Sequence, residues 1–78
     1  MTYQMITLNE NDKSRTIWGT FSYPAEDPQR VIDFLHYLQT SARPGDFLVH
    51  ELETDRAFRF TAVLPAMIRK LLTQDHTD

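Results

Sequence analysis

The sequence predicts an α+β domain: a four-stranded, mainly antiparallel sheet in ββαββα order with one long helix packed on a face. Three observations carry this. Four short segments, 3–8, 15–23, 46–53 and 57–63, are rich in β-branched and aromatic residues and read as strands. Residues 27–42 repeat apolar side chains at three- and four-residue steps. Each strand pair ends on a proline (Ser22-Tyr23-Pro24 and Val63-Leu64-Pro65), after which helical periodicity begins.

In chain order, Met5, Ile6 and Leu8 supply the apolar weight of the first strand, and Asn9 to Ser14 form a dense cluster of turn formers. The second strand alternates, with Ile17, Gly19, Phe21 and Tyr23 on one face and Thr16, Trp18, Thr20 and Ser22 on the other. The first set is the expected core face. The helix over 27–42 has Asp27 to cap it and Pro28 at its first position, while Arg43-Pro44-Gly45 ends it. Its stripe is Val31, Phe34, Leu35, Leu38 and Ala42, to be covered by Ile17, Phe21, Leu48 and Phe60.

For the second hairpin a three-residue loop at 54–56 sets Leu52 opposite Phe58, His50 opposite Phe60, Leu48 opposite Ala62 and Glu51 opposite Arg59. A slip of one residue would place glutamates against phenylalanines, so the charges favour this register. Pro65 then opens a shorter helix to residue 74, with Met67, Ile68, Leu71 and Leu72 apolar, and 75–78 are expected to fray. That helix lies beside the long one, covers the other sheet face, or docks on a second subunit.

The 78 residues suit one small domain, whose limited core makes self-association the expected source of extra stability. There is no cysteine, so disulfides, thiolate metal sites and thiol nucleophiles are excluded. The net charge of −3, from 8 basic and 11 acidic residues, is too weak and mixed for a basic nucleic-acid footprint. No apolar run reaches the roughly 20 residues of a membrane span, and Met1 to Met5 lack the layout of a secretion signal. A cytoplasmic protein without membrane association is the expectation.

Little here suggests chemistry. His36, His50 and His76 show no ligand spacing, the serines have no glycine-rich elbow, and two glycines cannot make a phosphate loop. The expectation is a non-enzymatic chain with no cofactor and no metal. His50 reads as a neutral, hydrogen-bonded side chain on the apolar face. Glu51, Glu53 and Asp55 line one strand face, where they are solvated or meet a basic partner. Trp18 stands out on a face of small hydroxyl residues, to be roofed by another element or presented to a partner. Arg59, Phe47, Val49 and Val63 extend that patch on the outer face of the second hairpin.

These features make a small protein-binding module, a regulator or inhibitor that captures a partner protein as a homodimer, the leading expectation. The partner-binding residues are Trp18, Arg59, Phe47, Val49 and Glu51. The alternative is a single-stranded nucleic-acid binder that stacks bases on sheet aromatics, with Arg15, Arg56 and Arg59 on phosphate. A small-ligand pocket between helix and sheet is a third possibility.

Overall fold

A computed structural model describes residues 1–74; the expected fraying at 75–78 lies outside the described residues. The chain forms β1 (Thr2–Leu8), β2 (Arg15–Ser22), α1 (Pro28–Gln39), one 3-10 turn (Pro44–Asp46), β3 (Leu48–Glu51), β4 (Arg56–Arg59) and α2 (Phe60–Gln74). The four strands make one antiparallel sheet in the order β2-β1-β3-β4. The α+β class and the ββαββα order follow the sequence. Both helices lie on the same face, so the last helix takes the first of the three positions open to it. Met5 and Val49 of the sheet meet Ile32, Leu35 and Leu38 of α1 and Phe60, Leu64 and Leu71 of α2 in one buried cluster.

The first hairpin has the expected loop. Asn9 and Ser14 close it through a backbone bond of 2.8 Å, Lys13 takes a left-handed conformation, and the Asp12 carboxylate accepts from the amide and hydroxyl of Ser14. Those bonds, the hydroxyl's first, hold the Asp12 carboxyl below its usual range. Beyond β2, Tyr23 exchanges backbone bonds with Met1, and a cis Tyr23–Pro24 peptide leads toward α1.

Helix α1 starts where its signals place it. Asp27 Oδ1 accepts from the Arg30 amide at 3.2 Å, and Pro28 occupies the first turn. It ends at Gln39, three residues before Ala42, because Thr40 and Ser41 turn their amides back onto His36 and Leu38. Its apolar face is wider than the stripe read from spacing: Ile32 is buried with Leu35 and Leu38, while Ala42 is exposed. The helix packs against α2 as well as the sheet, and two partners require a broader face than one.

The largest departure is α2. It was expected to start at Pro65 after a strand reaching Val63, but it begins at Phe60, directly after β4. With 15 residues against 12 for α1, it is the longer helix. Phe60 is fully buried, and Phe60, Leu64, Met67, Ile68 and Leu71 recur at helical steps that a strand would scatter to both faces. Pro65 lies within the helix and is exposed; there it removes one hydrogen bond and crowds the carbonyl one turn back, a cost that the burial of the flanking apolar side chains outweighs. Leu72, expected in the apolar face, is exposed.

The same event changes the second hairpin. Because Phe60 leaves the sheet for the core, the strands pair as Leu48 with Arg59, Val49 with Phe58, His50 with Ala57 and Glu51 with Arg56. The turn is 52–55, with Asp55 in a left-handed conformation, so the loop at 54–56 and the Glu51–Arg59 pair are corrected. Acid still meets base across the ladder, as Glu51 opposite Arg56.

Two contacts tie the helices to β2 and its exit. A Cβ built on Gly19 would lie 2.6 Å from Cζ of Phe34, so only glycine lets α1 sit this close to β2. Gln74 donates its side-chain amide to the Ala25 carbonyl and accepts the Ala25 amide at 3.1 Å, clamping the end of α2 to the link before α1. Gly19→Ala should lower unfolding free energy by about 1–3 kcal/mol, since the Phe34 ring must shift. Gln74→Ala should lower it by about 1–2 kcal/mol, by leaving partly buried backbone groups unpaired. Urea titration checks both; midpoints unchanged from the parent would contradict these contacts.

Candidate protein-binding surface

The two faces of the sheet are assigned by a β-bulge. Met5 pairs with Gly19 but its neighbour Ile6 pairs with Ile17, so Trp18 is an extra residue on β2. Strict alternation stops there. Gly19 and Phe21 face the helices, as the sequence suggested, but Ile17 sits on the opposite face and is 54% exposed. Trp18 turns toward the helix-bearing side. Its indole N–H donates to Thr7 Oγ1 at 2.8 Å, and its ring meets Phe47 edge-on at 5.4 Å. Phe47 in turn packs edge-on against Phe60, so Trp18 caps one end of the core while remaining half exposed.

On the far face the ladder registers align Ile17, Ile6, Leu48 and Arg59 in one row across all four strands. A neighbouring row is Thr20, Gln4, His50 and Ala57, and Leu8 pairs with Arg15 beyond Ile17. Among the described residues no helix covers this face: its residues stand outside the buried cluster on which both helices converge. Ile6 is buried by its own neighbours in the middle of the sheet, while Leu8 and Ile17 are each more than half exposed. Leu8 and Leu48 share a groove with Trp18 at the end of the sheet, which carries the apolar surface round to the indole. Arg15 and Arg59 flank it, and no acidic residue stands in these rows.

The expected binding residues therefore separate. Trp18 and Arg59 lie at two margins of one surface, joined through Leu48. Phe47 and Val49 are corrected: at 5% and 1% exposure they belong to the core, because β3 turns its odd-numbered side chains to the helices. Val63 is half-buried in α2. Glu51 is on the helix side, opposite Tyr3 and Arg56. Ile17, Leu8 and Leu48 replace the missing members. The signal for them was Gly19 inside a strand, a common mark of a bulge.

The acidic series does not form a face. Glu51 accepts from the Thr54 hydroxyl, Glu53 reaches back to β1, and Asp55 lies 2.8 Å from Nε2 of His50. His50 belongs to the uncovered face rather than the apolar one, although its side chain is only 12% exposed. It is hydrogen-bonded as expected through Nε2, while Nδ1 is buried without a partner. Among the described residues no group of acids and histidines is placed to hold a metal ion. The sheet aromatics Tyr3, Phe21, Trp18 and Phe58 all face the helix side, and Arg56 with them; of these rings the half-exposed Trp18 borders the uncovered face, at the groove it shares with Leu8 and Leu48. No helix of the described residues is long and apolar enough to cross a membrane.

No protein-family model, curated protein or solved structure matches the chain.

Both oxygens of Glu53 accept from the Thr2 amide, at 2.7 and 3.0 Å, and this bond holds the carboxyl below its ordinary range. A carboxyl with a lowered folded-state pKa stabilises above its unfolded value and loses that contribution as pH falls through the folded one. The start of β1 should therefore loosen between about pH 5 and pH 3. As pH falls across that window, exchange at Thr2 should slow less than the intrinsic rate does, so that its protection is lost. In Glu53→Gln the Thr2 amide should be less protected at neutral pH and lack that further loss. Exchange identical in the two proteins would rule the bond out.

Proposed function

We propose that this chain is a small, non-enzymatic protein-binding module that captures a partner protein on the uncovered sheet face. The observation that carries the reading is the row Ile17, Ile6, Leu48 and Arg59, with exposed Leu8 and Trp18 beside it. Ile17 and Leu8 stand more than half exposed about the buried Ile6, and an exposed apolar patch of this kind marks an interaction site. An apolar centre flanked by arginines has the make-up of an interface hot spot. On a chain of net charge −3, a face whose rows bear two arginines, with Asp55 at its margin beside His50, selects a partner with an apolar centre and carboxylates that meet Arg15 and Arg59. Regulation or inhibition by sequestration is the corresponding role.

The module acts as a homodimer in this reading. The longest strand, β2, has 8 residues and lies at the sheet edge, with Arg15 and the bulge at Trp18 in its first half, whereas the opposite edge strand, β4, has 4 residues and carries two arginines. Short, charged or bulged edges resist pairing, which leaves the uncharged stretch 19–22 of β2 as the edge open to it. Antiparallel pairing of two β2 strands would make one continuous sheet, with both binding faces on the same side. It also supplies the stability that a chain of 78 residues needs.

The test is affinity capture from the native host with the parent chain, Ile17→Lys and Arg59→Glu, each confirmed folded by circular dichroism. A protein retained by the parent should be lost with Ile17→Lys and weakened at least about tenfold by Arg59→Glu. Identical captured proteins for all three would refute this surface. Sedimentation should give twice the 9.2 kDa chain mass; the chain mass itself at every concentration would refute the dimer.

A further inference from the structure

A second concavity lies on the helix side of the sheet, beneath α2. It is a half-open cleft of about 180 Å³, and its walls include Tyr3, Phe21, Val49, Phe58, Val63 and Met67. An apolar cavity of roughly 150 Å³ holds one benzene ring, and drug-sized ligands need about 300 Å³ or more. The space therefore takes a single ring or a branched aliphatic chain.

Two opposite charges line the same cleft: Glu51 from β3 and Lys70 from α2. Among the described residues neither is in an ion pair, with the other or with any third group. The Thr54 hydroxyl donates to Oε1 of Glu51 at 2.6 Å, which orients the carboxylate. Burial first, and then the charges of Glu51 and Glu53, raise the Tyr3 pKa, so the hydroxyl in the wall stays neutral. A ligand carrying only a cation would leave Lys70 opposed to it, and one carrying only an anion would meet Glu51. A compact head with both charges answers both.

We propose that this cleft binds a free α-amino acid with an aromatic or branched apolar side chain. The side chain enters between the sheet and α2, the ammonium group turns to Glu51, and the carboxylate turns to Lys70. This site is separate from the protein-binding face and stands or falls independently of it.

The test is a titration of the full chain with L-phenylalanine, followed by the methyl NMR signals of Val63 and Met67. Saturable shifts with a Kd of about 1 mM or tighter are expected. 2-Phenylethylamine, which lacks the carboxylate, and 3-phenylpropionate, which lacks the ammonium group, should each bind about tenfold or more weakly. Glu51→Gln and Lys70→Gln should each weaken L-phenylalanine by about tenfold, since each removes a charged partner. Glu51→Gln should leave 3-phenylpropionate no weaker than before. Ala66→Trp, which fills the cleft from its rim, should abolish the shifts in a protein still folded by circular dichroism. Absence of saturable shifts up to about 10 mM, equal binding of the two single-charge analogues, or undiminished binding by Ala66→Trp would each overturn the proposal.

Discussion

The β-bulge at Trp18 is the constraint on which the rest of this molecule depends. One inserted residue in β2 changes which side chains face the helices and which face outward. It places Trp18 over Phe47, where the indole N–H finds Thr7. It also puts the hydrogen-only position of Gly19 under Phe34, so that α1 can settle onto the sheet. Ile17 is then left on the outer face beside Ile6, as a member of the row that gives this face its apolar character. Core packing and surface chemistry thus have a common local origin.

A second decision is made at Phe60. The chain has a choice there between continuing a strand and entering the core as a helix. Phe60, Leu64 and Leu71 fill the space over Met5 and Val49 only if the helix starts at once. Burying such side chains is worth roughly 1.5–3 kcal/mol each, which together outweighs the roughly 3 kcal/mol that a proline costs inside a helix. Packing therefore prevails over the local signal of proline. The consequence reaches the far face as well: β4 stops at Arg59, the ladder slips to pair Arg59 with Leu48, and an arginine comes to the edge of the apolar row.

These two sites also mark what was legible in the sequence. The class, the strand order along the chain, the first hairpin loop and the start of α1 are written in local signals: turn formers, a capping aspartate, Pro28 and alternation. They act over a few residues and were read correctly. The register of the second hairpin, the start of α2 and the facing of residues 17 and 18 are not local. Alternation presumes an unbroken ladder, so every face assigned on one side of a bulge inverts on the other. Alternation holds at Phe47, Leu48 and Val49, but the core lies on the odd-numbered side, because Phe60 enters it from α2 and does not pair with His50. Of the surface, Trp18 and Arg59 were visible as unusual residues, but the row joining them emerges only from cross-strand pairing.

The most direct measurement is a proton NOESY spectrum of the folded chain that resolves the Trp18 indole and the Ile17 methyls. Cross-peaks should join the Trp18 ring to Phe47 and Thr7, and the Ile17 methyls to Ile6. Cross-peaks from Ile17 to Phe34 or Leu35, with the Trp18 ring against Ile6, would mean that β2 runs without the bulge and that the uncovered face is built from other residues.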